Sequence, residues 1–148
     1  MFGILTTRFN DETYAENQRC RERNGIKCIY SEQKPISNYL PECTYFVIEM
    51  NNSINKIMGI GVIQNTLAPK MKVYDNPYHR YVYKSDTYIP ISSINSQIVE
   101  ELENILFYGK GHSKRGSGIT MFPAKRLKPE FIREFKSVHN SLQKSCPL

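Results

Sequence analysis

The chain has 148 residues and a net charge of +6 at pH 7, and 40% of its residues are apolar, including 10 Tyr and 7 Phe. This length is typical of one domain, and the many aromatic side chains indicate that the chain can bury a core. No apolar run reaches the roughly 18 to 20 residues that cross a bilayer. The first eight residues carry their one basic residue last, unlike a signal peptide. We therefore expect an intracellular protein, cytoplasmic or nuclear, with no membrane partner.

The first predicted element is a helix from Asp11 to Asn24, with Asp11 as its N-cap and Gly25 as the left-handed residue at its end. Its sequence is mostly polar, and we expect three arginines on its exposed side: Arg19, Arg21 and Arg23. A short strand from Ile26 to Tyr30 follows. Two prolines then predict a loop over residues 34–41.

A β-hairpin is the clearest pattern in the chain. Two runs rich in β-branched and aromatic residues, Tyr45–Met50 and Lys56–Gln64, flank a short Asn-rich turn. Gly59 and Gly61 fall on the same face of the second strand. Such a pair marks either a bend in a curled sheet, which we favour, or a place where another backbone or a ligand comes close.

The second half of the chain predicts strands followed by two helices. Residues Tyr78 to Ile91 favour one or two strands, and a helix capped by Ser92 or Ser93 runs to about Tyr108, where Gly109 stops it. A strand is expected after the next loop. Pro129 opens the last helix, whose buried stripe is predicted to contain Phe131, Ile132, Phe135, Val138 and Leu142.

This order of elements predicts one domain over residues 1–148 with an α+β fold. We expect a compact, curled and largely antiparallel sheet flanked by about three helices. The four cysteines are Cys20, Cys28, Cys43 and Cys146, and their spacings contain no C-x-x-C pair. They are expected to be free thiols in a reducing compartment, and the sequence predicts no metal site and no cofactor.

The positive charge is concentrated in the C-terminal third, residues 106–148. This segment carries nine basic and two acidic side chains, a net charge of +7, whereas the other 105 residues carry eleven basic and twelve acidic side chains, a net charge of −1. A field of this polarity attracts anions. The basic residues of the segment are Lys110, Lys114, Arg115, Lys125, Arg126, Lys128, Arg133, Lys136 and Lys144.

The segment Gly109–Gly118 combines four glycines with three cations and His112. Glycines let backbone N–H groups approach an anion, and Lys and Arg add charge. Ser117 stands where a P-loop needs its lysine, and the dinucleotide-binding pattern of glycines also fails. Two interpretations remain open: a phosphate-contacting loop and a flexible, solvated loop. His112 beside Lys114 and Arg115 also permits general acid–base chemistry on a phosphodiester.

A second candidate surface is a run of aromatic and basic residues in the predicted strands. Exposed aromatic rings flanked by cations bind single-stranded nucleic acids, because every base has a face that can stack. The alternative is that these rings belong to the core, since Tyr is common in strands. The run contains Tyr74, Tyr78, His79, Arg80, Tyr81, Tyr83, Lys84 and Tyr88.

The hairpin segment Tyr45–Gln64, with its sequence Lys56-Ile-Met-Gly-Ile-Gly-Val-Ile63, resembles the PUA-like small β-barrels of the ASCH, EVE and YTH type, and the resemblance extends to Ile89–Ile91. It implies a barrel that binds RNA or a modified nucleotide in an aromatic pocket beside a basic surface. The YTH branch uses Trp in its cage, and here Tyr or Phe would replace it. The bias toward Asn, Ile, Lys and Tyr resembles proteins of large DNA viruses, which would place this protein in the virion or the host cytoplasm.

From these patterns we predict a non-catalytic domain that binds RNA or single-stranded DNA. The phosphate contacts are assigned to Lys110, Lys114, Arg115, Lys125 and Arg126, and the base or sugar contacts to His112 and to the segment of Tyr78, Arg80, Tyr81 and Tyr83. Two alternatives stay open. One is a protein-interaction or virion component that docks an acidic partner, and the other is a small hydrolase or nuclease that uses His112.

Overall fold

The computed structural model describes residues 2–32, 35–36, 43–64, 66–68, 73 and 81–144. In these ranges the chain forms three α-helices and seven β-strands, with short 3-10 turns at Ile91–Ser93 and Ala124–Arg126. The elements in chain order are β1 (Phe2–Phe9), α1 (Asp11–Asn24), β2 (Cys28–Glu32), β3 (Thr44–Asn51), β4 (Lys56–Gln64), β5 (Tyr81–Ser85), β6 (Tyr88–Pro90), α2 (Ser96–Phe107), β7 (Thr120–Met121) and α3 (Pro129–Lys144).

The strands form one five-stranded sheet in the order β6-β4-β3-β1-β7 and one two-stranded sheet of β2 and β5. Every pairing in the larger sheet is antiparallel except that of β1 with β3. The predicted α+β class with a largely antiparallel sheet is therefore confirmed. Within the described ranges both sheets are open, so the barrel that the PUA-like resemblance implies is not observed.

Strand β1 was not among the predicted elements, and it lies inside the larger sheet. It pairs in parallel with β3, with Leu5 opposite Val47 and Thr7 opposite Glu49. Parallel partners must be joined by a crossover rather than a tight turn, and here the connection contains α1 and β2. The sequence therefore contains no local turn signal from which the pairing of β1 with β3 could be predicted.

The core has three parts that follow the layers of the fold. The larger sheet packs one face against α2 and α3 through residues such as Phe46, Ile60, Leu102 and Phe135. Its other face meets the smaller sheet in a second cluster, and α1 contributes Cys20 to a third cluster on the far side of β2 and β5. No helix in these ranges is both long and apolar enough to span a membrane.

Local capping explains where the first two helices begin and end. Helix α1 has the predicted bounds and ends at Gly25, whose φ is 63°. Its N-cap is Asn10 rather than Asp11, because the Asn10 side chain accepts the Thr13 N–H and forms a capping box. Helix α2 begins later than predicted, since Asn95 accepts the amide protons of Gln97 and Ile98. The earlier serines lie in the 3-10 turn Ile91–Ser93.

Several predictions about individual positions need correction. The hairpin of β3 and β4 is confirmed, whereas the strand predicted from Ile26 to Tyr30 lies two residues later as β2. Helix α3 opens at Pro129 as predicted and buries Phe131 and Phe135, but Leu142 is exposed beyond the core. Cys20, Cys28 and Cys43 are buried free thiols. The predicted positions Tyr74, His79 and Cys146 lie outside the described residues.

Candidate nucleic-acid interface

The glycine-rich segment Gly109–Gly118 folds back onto the C-terminal end of α2. Gly109 has a φ of 80°, the left-handed conformation that glycine adopts without strain, and it turns the chain as it leaves the helix. The Ser113 N–H then donates to the Leu106 carbonyl oxygen at 2.7 Å. This bond satisfies one of the carbonyl groups that a helix end leaves without an internal partner. The loop is thus hydrogen-bonded to the C-terminal end of α2.

The Arg8 side chain of β1 hydrogen-bonds the backbone of the loop. Its guanidinium donates to the carbonyl oxygens of Ser113 at 3.1 Å and Gly118 at 2.8 Å, and to the Thr120 hydroxyl at 3.0 Å. A Cβ at Gly116 would come within 2.7 Å of the Arg8 Cζ atom, so the loop backbone lies directly on the guanidinium. Asn52 in the hairpin turn adds a bond from its side-chain amide to the Lys114 carbonyl oxygen. The loop is anchored rather than freely solvated.

The anchored loop uses its central amide groups internally. The His112 N–H bonds the Gly109 carbonyl oxygen, the Ser113 N–H bonds Leu106, and the Lys114 N–H donates to His112 Nδ1 at 3.2 Å. These three amides are not free to surround a phosphate. The phosphate-contacting interpretation of the loop stays a prediction, in which these three amides take no part.

The turn Ala124–Arg126 packs against the start of the same loop. Arg126 donates from Nη1 to the Ile105 carbonyl oxygen at 3.3 Å, and a Cβ at Gly111 would lie 3.0 Å from its Nη2. A cation at the C-terminal end of α2 is also stabilised by the helix dipole. The structure therefore brings Lys125 and Arg126 to the loop that carries Lys110, Lys114 and Arg115.

We call these five cations the basic platform. Residues 104–129 contain no Asp or Glu, so no acidic side chain is interleaved with them. Lys114 is half-buried and the other four are exposed. Within the described part of the chain none of the five forms an ion pair, whereas the neighbouring Lys128 pairs with Glu101 of α2. The platform thus presents uncompensated positive charge to solvent.

His112 is half-buried in the loop and has a structural role there. Its Nδ1 accepts the Lys114 N–H, a bond that requires the unprotonated form of this nitrogen. The ring therefore helps to shape the backbone beneath Lys114. General acid–base chemistry would have to use the remaining nitrogen, Nε2.

The tyrosines predicted to contact bases differ in their exposure to solvent. Tyr78 and Arg80 lie outside the described residues. Tyr81 is half-buried, but Tyr83 is only 1% exposed and its hydroxyl accepts the Ile36 N–H at 2.8 Å. A ring packed in the core cannot stack on a base, so the role predicted for Tyr83 is wrong.

Strand pairing places Tyr81 near the end of the loop. Its Cα partner in β2 is Glu32, and a Cβ at Gly118 would lie 2.9 Å from the Glu32 carboxylate. Burial raises the pKa of Glu32 to about 7, although the Arg8 guanidinium opposes the change. This carboxyl group therefore carries only part of a negative charge near neutral pH.

Sequence reasoning missed three exposed apolar residues in the basic C-terminal third of the chain. Tyr108, Met121 and Leu127 are 53%, 56% and 41% exposed. Tyr108 follows the last residue of α2 and precedes the loop. The exposure of Tyr108 could have been inferred from its position in the sequence. A large aromatic residue that follows the apolar stripe of a helix and precedes a glycine lies at the end of that helix.

A second cluster of polar side chains is buried between the layers, around Glu49 of β3. The Glu49 carboxylate is fully buried and accepts from Arg21 at 2.5 Å, from the Tyr30 hydroxyl at 2.6 Å and from the Tyr88 hydroxyl at 3.0 Å. The prediction that Arg21 is exposed is therefore wrong. Arg21 also donates to Asn17, so the cluster links α1 to three strands.

The electrostatics of this cluster stabilise a charged pair. Burial alone would lower the pKa of Arg21, but the Glu49 carboxylate outweighs it and raises that pKa above the ordinary value. Burial and Glu49 together raise the pKa of Tyr30 and of Tyr88, so both phenols remain protonated donors. All three groups that face the carboxylate are therefore donors.

The glycine pair of β4 makes room for these phenols. A Cβ at Gly59 would overlap the Tyr88 hydroxyl, and a Cβ at Gly61 would overlap the Tyr30 hydroxyl. The register of β3 and β4 also shifts between Glu49 and Met50. The groups that come close to the glycines are thus side chains of the protein itself, whereas the favoured explanation, a bend, stays a prediction.

Within the described ranges no three His, Cys, Asp or Glu side chains lie close enough together to hold a metal ion. Comparisons with protein-family profiles, curated proteins and solved structures found no match to this chain. The resemblance to PUA-like domains, with its implied recognition of a modified nucleotide, therefore stays a prediction.

Proposed function

We propose that this protein binds RNA or single-stranded DNA through the basic platform, without catalysing a reaction. The observation that supports the proposal most is the convergence of two separate basic segments on one end of α2. Lys110, Lys114 and Arg115 come from the loop, and Lys125 and Arg126 come from the following turn. Lys and Arg side chains provide most phosphate contacts in protein–nucleic acid complexes.

The rigidity of the platform also favours binding. Arg8, Asn52 and the end of α2 hold the loop backbone at several points, so the cations project from a fixed surface. A preorganised surface loses less conformational entropy when a ligand binds. The exposed Tyr108 beside the cations is suited to a single strand, whose bases are free to stack.

The proposal is tested by fluorescence polarisation of labelled single-stranded RNA, single-stranded DNA and duplex DNA. The double variant Lys114→Ala with Arg115→Ala should bind the single strands several-fold more weakly than the unmodified protein, because two phosphate contacts are lost. The matched control is Arg19→Ala with Arg23→Ala, which removes the same charge from the exposed side of α1. This control should bind like the unmodified protein.

Equal weakening in both double variants would mean that total charge, and not the platform, controls binding. Absence of binding to all three nucleic acids would overturn the proposal and favour the docking of an acidic protein partner. In that case a pull-down should recover a stoichiometric complex that survives nuclease treatment. Cleavage of the labelled strand that disappears in His112→Ala while binding persists would instead identify a nuclease.

A further inference from the structure

A groove of about 560 Å³ opens beside the basic platform, between the hairpin turn, the turn Ile91–Ser93 and one side of α2. Its lining includes Asn55, Ser92, Asn104 and Tyr108. The groove is a separate feature from the platform, because none of the five platform cations lines it. Tyr108 belongs to the groove and is also the residue from which the basic loop departs.

Tyr108 is positioned as a stacking surface. Tyr108 is 53% exposed, and Lys110 follows two residues later in the chain. Asn104, in the last turns of α2, lines the groove together with Tyr108. An exposed ring next to cations is the arrangement that binds successive nucleotides of a single strand.

The charge of the groove suits a base better than a phosphate. Glu100 and Glu103 both line it, and Lys56 lies 3.7 Å from Glu103, which leaves a net negative charge. Carboxylates repel phosphate but accept hydrogen bonds from the amino and imino groups of bases. The groove would therefore take up the base of a nucleotide and leave its phosphate on the platform.

The polar lining supplies further partners for a base edge. Ser92, Ser96 and Asn104 contribute hydroxyl and amide groups. Asn55, which also lines the groove, holds its side-chain oxygen out of solvent, and no donor among the described residues bonds it. Because no solvent reaches this oxygen, the hydrogen bonds to a base edge are assigned to the other polar groups of the lining.

We propose that this groove is a base-binding subsite, in which Tyr108 stacks on one unpaired base while the adjoining phosphates contact the basic platform. The inference rests on the proposed function. It specifies which part of the nucleic acid the protein recognises, namely an unpaired nucleobase. Duplex nucleic acid would occupy the platform without filling the groove, since its bases are already stacked and paired.

The first test compares Tyr108→Ala with Tyr108→Phe, using a labelled single-stranded oligonucleotide and an abasic strand of the same length. The alanine variant should bind the base-bearing strand about fivefold or more weakly, whereas the phenylalanine variant should retain the affinity, because stacking needs only the ring. Binding of the abasic strand should be the same in all three proteins. Tyr108 is exposed, so neither change should unfold the domain.

The second test uses the absence of tryptophan from the chain. Tyr108→Trp places a single indole at the groove, and Met121→Trp places one at an exposed position that does not line the groove, as a control. A base-bearing strand should quench the fluorescence at position 108 more strongly than an abasic strand does. The indole at position 121 should not distinguish the two strands.

The outcomes separate this inference from the proposed function. If Lys114→Ala with Arg115→Ala weakens binding but Tyr108→Ala does not, the platform binds nucleic acid and the base subsite is wrong. Equal quenching at positions 108 and 121 would overturn the subsite in the same way. If no nucleic acid binds the unmodified protein, the proposed function itself is wrong.

Discussion

At the residue scale, Glu49 shows how one buried charge organises its surroundings. A carboxylate loses its hydration when it is buried, and here an arginine and two phenols replace the lost hydrogen bonds. These donors come from α1, β2 and β6. Replacing one of these donors would leave the Glu49 charge partly unpaired. The stability of the cluster therefore depends on all three donors being in place.

Gly61→Ala tests this dependence. The added methyl group would overlap the Tyr30 hydroxyl and push the phenol away from Glu49. We expect the free energy of unfolding to fall by roughly 2–4 kcal/mol, from overpacking together with a lost buried hydrogen bond. Urea denaturation measures the change.

The control for this prediction is Tyr30→Phe, which removes the hydroxyl alone. In that background Gly61→Ala should cost less than in the unmodified protein, because the overlapping atom is gone. A Gly61→Ala protein with unchanged stability would show that the phenol does not occupy the space next to the glycine.

At the element scale, the basic loop is stabilised by parts of the chain that are remote in sequence. Arg8 lies in the first strand, yet it bonds Ser113, Gly118 and Thr120. The loop therefore has a fixed backbone even though it contains four glycines. Composition alone would have suggested mobility, and the anchoring side chain is the reason for the difference.

Arg8→Ala should release the loop. The bonds to the two loop carbonyls would be lost, and the amides of residues 112–114 should exchange with solvent faster in hydrogen-exchange measurements. Binding of a labelled single strand should weaken several-fold, although Arg8 itself lies beneath the platform, because a mobile loop loses more entropy on binding.

Arg8→Lys is a useful companion variant, since it keeps the charge but cannot bridge two carbonyl groups with a planar guanidinium. It should resemble Arg8→Ala in loop exchange. Unchanged exchange in both variants would show that the loop is held by its bonds to α2 and Asn52 without Arg8.

At the scale of the whole molecule, positive charge is concentrated in one part of the chain. The net charge of +6 arises from the C-terminal third, and the acid-free residues 104–129 carry the platform. In α2, Glu101 pairs with Lys128, and Glu103 bonds the Ile57 N–H. We propose that this arrangement lets the platform bind polyanions.

The salt dependence of binding follows from this arrangement. The affinity for a single strand should fall linearly in a log–log plot against salt, with a slope of about −0.7 per phosphate neutralised, or roughly −3.5 if all five platform cations engage. The double variant Lys114→Ala with Arg115→Ala should reduce the steepness by roughly 1.4. Polarisation titrations at increasing salt measure both slopes, and an affinity independent of salt would contradict the electrostatic part of the proposal.

The secondary structure was predictable where short-range signals exist. Gly25 ends α1, Pro129 begins α3, and two β-rich runs around an Asn-rich turn form the β3–β4 hairpin. Each of these features depends on residues a few positions apart. Strand β1 was missed because its partner β3 lies about forty residues away and no turn joins them.

The candidate site was predictable in charge but not in arrangement. The five platform cations were identified from the sequence, since charge does not depend on folding. The sequence did not show that these cations converge on α2, that Tyr83 is buried or that Tyr108 is exposed. A polar helix such as α1 has no apolar stripe to show which face turns inward, so the burial of Arg21 also escaped prediction.

The sequence by itself determined the α+β class, most helix and strand positions and the location of the positive charge. Helix caps, hydrophobic periodicity and hairpin turns act over a few residues, and formal charge is a property of the side chain alone. The tertiary structure decided which polar groups are buried around Glu49, which arginine anchors the loop and which aromatic ring faces solvent. These outcomes depend on contacts between segments distant in the chain, and burial is determined only when those segments pack together.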